Sequence, residues 1–511
     1  MKSIRLVLGD QLNIRHSWFK QPDKGIVYVM MEVRSETDYV LHHAQKLIGF
    51  FGAMRTFSEE LKSRGHRVHY IKINDPENLQ SFSKNLDFLI QLYNPEIFEF
   101  IEPDEYRVDQ ELKTWGFQQK IQINCVGSEH FLTDRDTLRK IVNGKRNFRM
   151  ENFYRIIRRK FNIMLDENGE PWSGRWNFDE ENRKFFKGNL SVPKVWEAQN
   201  DLSEVWQDIQ ACGCSWFGYP KFNPFPYPIN REQALAQLNH FIQFGLPKFG
   251  EYQDSMNVEH PVLWHSRLSF ALNLKFLHPL EVVNASILAY QQRSQEISLA
   301  QLEGFVRQII GWREYMRGIY WAYMPDFEKM NFFGHNNTLP TWYWDGNTCM
   351  NCLKTCIKAS LQQAYAHHIQ RLMVTGAFAL MAGVDPKEVD HWYLGIYMDA
   401  IQWVQIANTR GMSQFADGGL TATKPYLCSA SYIKRMSNYC KACFYNPEEK
   451  FSERACPWNT LYWNFFIKHQ DKLSKHPRLS LIYKHLDNML PEEKDKIIQK
   501  AEILIFNLNK L

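Results

Sequence analysis

The sequence predicts two unlike structural units: an N-terminal α/β unit built on a doubly wound parallel sheet, and a larger all-α unit toward the C-terminus. Three observations carry that prediction. Short apolar runs alternate with helix-like segments through residues 1–130, helical periodicity dominates from residue 231 onward, and 511 residues exceed what one ordinary core organises.

Five runs read as strands: IRLVLGD, GIVYVMMEV, HRVHYIKI, FEFIE and IQINCVG. Each is rich in apolar or β-branched residues, and most end at polar or Gly positions, the pattern of strands covered on both faces. Between the second and third, DYVLHHAQKLIGFFGAMRTFSEELKSRG has helical periodicity and a stop signal at Gly65. Ligands of such sheets sit beyond the carboxyl ends of the strands, and LGDQL, with Asp10, lies at such an end. No G-x-G-x-x-G turn is present, so a dinucleotide is not indicated in this unit.

Residues 131–230 start basic and helical and continue as an interdomain connector rich in Trp, Gly and Pro, including PWSGRWNFDEENRKFFKGN and WFGYPKFNPFPYP. The helical unit, 231–511, has expected loops at HPVLWHSRLS, NFFGHNNTLPTWYWDGN, GVDPKEVDHW and NTRGMSQFADGG.

Hydrophobic and charged contents of 44% and 23% are those of a soluble globular chain. The N-terminus has no signal-peptide pattern and no run reaches membrane-span length, so a cytoplasmic protein without a membrane partner is expected. The net charge of +5 is too modest to indicate nucleic acid by itself. Local charge is denser: GKRNFRMENFYRIIRRKF (144–161) interleaves basic and aromatic residues, and Arg410, Lys434 and Arg435 lie in the helical half. Phosphate contact and a solvated helix face are the two readings of these charges.

Ten cysteines in a reducing compartment do not suit a disulfide framework. Six of them crowd two stretches. YCKACFYNPEEKFSERACPWN holds Cys440, Cys443 and Cys456, and TCMNCLKTC offers Cys352 as a distant fourth thiolate. Four thiolates suit tetrahedral zinc or an iron–sulfur cluster. The remoteness of Cys352 and Pro457 after the last Cys favour the cluster.

Three further stretches carry chemistry. YAHHIQRLMV presents His367 and His368 with Arg371 one turn on, and adjacent histidines on a helix face different sides, so at most one is expected in a given pocket. WHSRLSFALN suits a phosphate or pyrophosphate near a helix start. YMDAIQWVQIANTRGMSQFADGG sets Asp399 beside a Trp-containing turn, with Gln405 and Asn408 able to hydrogen-bond a flat heterocycle.

At these motifs the chain resembles the photolyase and cryptochrome superfamily, and the cysteine pattern narrows the likeness to its iron–sulfur bacterial branch, the prokaryotic (6-4) photolyases. The resemblance spans essentially the whole chain, including LGDQL, MEVRSETDYVLHHAQK, RMENFYRIIRR and GRWNFD. It implies FAD in a bent conformation within the helical unit. Tyr252, Ser266, Arg267, Leu268 and Ser269 match the phosphate-contacting segment, and Asp399 and Ala400 match the segment at the isoalloxazine ring. Gln405 is expected to face the flavin's central nitrogen, with Asn408 the competing choice. Cys352, Cys440, Cys443 and Cys456 match the ligands of a 4Fe-4S cluster, leaving Cys349 and Cys356 unliganded. A 6,7-dimethyl-8-ribityllumazine antenna is expected in the N-terminal unit, contacted by Asp10 and Glu36.

The resemblance also implies an activity: light-driven reversal of (6-4) photoproducts in UV-damaged DNA by a monomer. His368 matches the histidine over the flipped lesion and would donate a proton; a second histidine four residues later is replaced by Leu372. Trp392 is expected nearest the flavin, with Tyr393 and Trp344 as electron relays. A cryptochrome-like blue-light photoreceptor is the alternative, and a DNA-binding protein with a purely structural cluster is a third reading. His368 favours repair over signalling, and the flavin-site motifs disfavour the third.

Overall fold

The computed structural model describes residues 1–142 and 148–511. Five parallel strands form the N-terminal sheet: β1 (Ser3–Leu6), β2 (Ile26–Met31), β3 (Arg67–Ile71), β4 (Ile97–Ile101) and β5 (Gln122–Val126). Their order is β3-β2-β1-β4-β5. The chain winds outward from β1 in one direction, then returns to lay β4 on its other side, and a crevice opens at such a reversal. All five expected strands are present.

Alternation along β2 divides the packing. Val27, Val29 and Met31 face helices α2 (Phe82–Tyr93) and α3 (Tyr106–Phe117) through Leu86, Leu89, Val108 and Leu112. Tyr28 and Met30 point the other way, into a core shared with α1 (Ala44–Ser63) and with the helical half. α1 stops where expected, with Gly65 at φ +87°. It starts later than its periodicity indicates, because His42–His43 pairs with Trp216–Phe217 and the His43 imidazole caps the helix by accepting from the Gln45 N–H.

Two expected loops contain helix. Within GVDPKEVDHW, Asp385 caps the Lys387 N–H and Pro386 occupies the first turn of helix Pro386–Ile396. NTRGMSQFADGG begins in a π-helical turn, Ala407–Ser413, and similar wide turns occur at Arg307–Trp312 and Gln370–Gly376. Such turns widen a helix locally and cluster at functional sites; these three contribute wall to one cavity.

Of the basic stretch 144–161, residues 144–147 lie outside the described residues. The rest forms helix Met150–Lys160, which buries Phe153, Tyr154 and Ile157 and leaves Arg155, Arg159 and Lys160 in solvent. Arg410 is not a surface charge: it is buried, ion-paired with Asp390 and bonded to the Met330 carbonyl. Lys434 is exposed and pairs with Glu448. No described helix is long and apolar enough to cross a membrane.

Candidate functional site

The helical half encloses a cavity of about 450 Å³. Ser266, Arg267, Leu268 and Ser269 form one wall. Arg267 holds φ +55° and is only 6% exposed, its guanidinium lying over the rings of Tyr227 (4.6 Å) and Tyr365 (5.3 Å). Its Nε has no protein partner. A buried cation without a carboxylate is costly, so this wall suits an anionic ligand group.

Asp399, Gln405 and Asn408 also line the cavity. Arg371 grips Asp399 with two parallel hydrogen bonds, Nη1 to Oδ1 at 3.0 Å and Nη2 to Oδ2 at 3.2 Å, and stacks 3.8 Å over the Tyr397 ring. Burial alone would raise the Asp399 carboxyl; the charge and hydrogen bonds of Arg371 outweigh it and hold the group below its ordinary value. Asn273 Nδ2 donates to the Asp399 carbonyl at 2.7 Å, fixing the segment. Gln405 donates to the Thr409 hydroxyl and Asn408 to the Val404 carbonyl, so both amides are anchored on their own helix.

Both histidines line this cavity, against the expectation of one, because they stand at a helix start and not within a regular turn. His367 is buried, stacks on His265 with centroids 4.3 Å apart, and has neither ring nitrogen bonded to protein. His368 is exposed at the mouth. Protein still crowds it on most sides, and that desolvation, then the positive charge of Arg371, lowers its imidazole to about 4.

Three of the expected site residues do not line this cavity. Tyr252 does not line the cavity; it stacks on Trp264 at 4.9 Å within a separate aromatic cluster. Ala400, next to Asp399 at the end of a turn closed by its own N–H on the Tyr397 carbonyl (3.1 Å), faces a different cavity. Trp392 is replaced at this cavity's wall by Tyr393, whose hydroxyl bonds Arg371 O and Thr375 Oγ1 at 2.6 Å each. Trp392 stands behind it at 5.2 Å and continues to Tyr343 at 5.0 Å. Trp344 is surface-exposed and packs on Phe217.

A second, smaller cavity of about 110 Å³ lies beyond the strand ends and is lined by Asp10, Glu36 and Ala400. Glu36 takes a two-pronged bond from Arg107, at 2.7 and 2.8 Å. Asp10 is raised to about 7 by burial, against the opposing charge of Lys275. His42, part of the MEVRSETDYVLHHAQK motif but assigned no role from it, is 2% exposed, borders this cavity and has neither ring nitrogen satisfied by protein.

Cys352, Cys440, Cys443 and Cys456 line a third, small cavity together. They come from the first turn of helix Asn351–Gln363, the turn Tyr439–Ala442 with the residue after it, and the cap of helix Pro457–Lys468. Burial, reinforced by the other thiols, raises Cys440 to about 11 and Cys456 to about 12. Among the described residues no three His, Cys, Asp or Glu gather tightly enough for a single ion. Cys356 points elsewhere, toward the Tyr439 hydroxyl at 3.7 Å.

Arg371 is the functional side chain that sequence spacing did not assign, because its partner Asp399 is 28 residues away.

Comparison with known proteins bears on these cavities. Residues 5–225 match the family model described as deoxyribodipyrimidine photo-lyase-related protein. A (6-4) photolyase of Agrobacterium fabrum (strain C58) is 41% identical over 513 residues, covering 100% of both chains. The chain belongs to the (6-4) photolyase family. Solved structures agree on the fold of this family member. A bacterial class III photolyase from Agrobacterium tumefaciens superposes with a TM-score of 0.54 at 17% identity, covering 98% of this chain and 92% of that one. A cryptochrome of Synechocystis sp. PCC6803 gives 0.53 at 11%, covering 97% and 93%. The α/β unit and the helical unit are thus those of the photolyase/cryptochrome fold.

Proposed function

We propose that this protein reverses (6-4) photoproducts in UV-damaged DNA under blue light, with FAD in the 450 Å³ cavity and His368 as proton donor. One observation carries the reading: a single cavity joins a buried arginine that has no carboxylate and an unbonded Nε, an Arg371–Asp399 pair and a histidine at its open mouth. Bound and reduced, FAD supplies the light-absorbing group that lends an electron to the lesion and takes it back.

The chain's own residues do the rest. Arg267 neutralises the ligand's diphosphate, which answers its orphaned Nε. Arg371 keeps Asp399 ionised, so a fixed negative acceptor faces the ring system. Tyr393, then Trp392 and Tyr343, offer an aromatic route from the cavity.

His368 meets the extruded base at the mouth, and extrusion costs least at a poorly stacked lesion. In the free protein its imidazole is neutral at pH 7. Donation therefore requires the arriving phosphates to raise it, which ties proton supply to the presence of DNA. The solvent-facing Arg155, Arg159 and Lys160 suit phosphate contact.

The four converging thiols fit a 4Fe-4S cluster, whose ligands stand farther apart than those of one zinc ion, and when bound it would tie Cys352 to the 440–456 region. The small cavity fits part of a lumazine antenna that would pass excitation onward, with Asp10, Glu36 and the unsatisfied His42 as polar contacts. A monomer in the cytoplasm completes the reading.

The test uses reduced protein, blue light with a dark control, and oligonucleotides carrying a (6-4) photoproduct or a cyclobutane dimer. Light-dependent loss of the (6-4) lesion alone, abolished in His368→Ala, is expected. Repair of neither lesion by flavin-loaded protein would replace this reading with the photoreceptor one.

A further inference from the structure

Two thiols that line none of the three cavities face each other in the connector. Helix Ser203–Ala211 ends with the Cys212 N–H on Asp208 O (3.0 Å) and the Gly213 N–H on Gln210 O (3.2 Å). Gly213 then takes φ +68°, a conformation that costs other residues about 1 kcal/mol or more, and the chain doubles back. The reversal brings Cys214 Sγ to 2.8 Å from Cys212 Sγ, while both remain free thiols. A disulfide bond of about 2.05 Å is then a small side-chain motion away.

The two sulfurs are not equivalent. Cys212 is half-exposed, its backbone carbonyl held by Arg34 Nη1 at 2.7 Å, whereas Cys214 is 6% exposed and sits 3.6 Å from Thr37 Oγ1. The hydrogen bond between the two sulfurs, the Cys214 backbone and the charge of Arg34 together outweigh burial and Asp38 and bring Cys212 down to about 7, while the same pairing drives Cys214 up. By contrast Cys125 is pushed up to about 11 by burial and neighbouring carboxylates. A partly accessible thiolate beside a buried partner thiol is the arrangement of a redox-responsive pair.

We infer that Cys212 and Cys214 form a reversible disulfide on exposure to hydrogen peroxide, Cys212 as the attacking thiolate and Cys214 as the resolving thiol. Cys212 Sγ attacks one peroxide oxygen, the O–O bond breaks, and the departing hydroxide takes a proton to become water. The resulting sulfenic acid is attacked by Cys214 Sγ; its S–O bond breaks, and the leaving hydroxide carries off the Cys214 proton as a second water. Two thiols lose two electrons and one peroxide gains them. An external dithiol restores the pair by exchange. Thr37 borders the small N-terminal cavity beside Glu36, so the bond would form directly behind that wall and draw Cys214 off Thr37.

Trypsin isolates the site, because the segment 195–221 contains Cys212 and Cys214 and no other cysteine. The folded holoprotein is treated with limiting peroxide, unreacted thiols are alkylated, and the digest is weighed. The expected result is a segment lighter by two hydrogens that escapes alkylation, and that regains both alkyl groups after dithiothreitol. In Cys214→Ser, Cys212 should stop at the sulfenic acid and be captured by dimedone. The inference is overturned if 195–221 stays fully alkylated at a peroxide dose that oxidises the exposed Cys125 or Cys349. Irreversible oxidation of Cys212 without the linkage in the unaltered protein overturns it equally. The first reading needs no variant, so a misfolded Cys214→Ser leaves the test intact.

Discussion

Arg371 reaches Asp399 across 28 positions of sequence and binds both carboxylate oxygens at 3.0 and 3.2 Å, while its guanidinium lies flat over Tyr397. The pair closes one wall of the large cavity and joins helix Gln370–Gly376 to the segment that carries Asp399.

Removing one member leaves the other charge nearly buried, with side-chain exposures of 18% and 12%. Arg371→Gln is expected to cost about 3 kcal/mol, the low end for a broken buried pair because a fringe of each group meets solvent. Since the folded Asp399 pKa lies below 3.8, the pair's contribution is complete above that value and fades as pH falls below it. Urea unfolding of both proteins at neutral and strongly acidic pH measures this; an unchanged midpoint at neutral pH would contradict it.

His368 gives a prediction in which DNA is the variable. Its imidazole, near 4 in the free protein, should titrate higher once lesion DNA brings its phosphates to the cavity mouth. NMR titration of labelled histidine with and without a (6-4) oligonucleotide measures the shift. A midpoint that stays put or falls would remove His368 from the role of proton donor.

Buried neutral histidines predict an acid sensitivity. His43 and His469 are lowered to about 4 and His335 to about 3, chiefly by burial, and the His335 and His469 rings meet Nε2 to Nε2 at 3.3 Å. The unfolded chain takes up these protons near 6.5 while the folded protein does not. Stability is therefore full above pH 6.5, declines as pH falls from 6.5 toward 4, and levels where the folded histidines also protonate. His335→Gln should lessen the slope of urea midpoint against pH across that window.

The cysteines separate by position. Cys352→Ala should abolish iron and acid-labile sulfide in the purified protein, while Cys356→Ser, whose thiol addresses the Tyr439 hydroxyl, should retain both. Iron retained in Cys352→Ala would refute the assigned ligand set.

Gly376 holds two π-helical turns together. A β-carbon there would collide with Ser413 Oγ and approach Arg371 O to 2.8 Å and Tyr393 OH to 3.1 Å. Gly376→Ala is expected to cost about 1–3 kcal/mol through overpacking. It should also slow flavin photoreduction by moving Tyr393, measured by absorbance under illumination; normal photoreduction in a destabilised variant would detach Tyr393 from the electron route.

By itself the sequence determined the elements: five strands from apolar runs, the stop of α1 at Gly65, and two cysteine-rich stretches almost ninety residues apart. Period and composition are local properties, and neighbouring residues suffice to express them. Only the tertiary structure decided which of these face one another. Asp385 and Pro386 carried a local helix-start signal inside a stretch that otherwise resembled a loop. Asp399 and Ala400 are adjacent in sequence, yet the turn closed by the Ala400 N–H on the Tyr397 carbonyl sends them into different cavities. Tyr393 supplanted Trp392 at the cavity wall, and Arg371 found Asp399, through contacts between segments whose separation no spacing rule encodes. Side-chain direction and long-range pairing are set by packing the whole chain at once, and that is where the site was made.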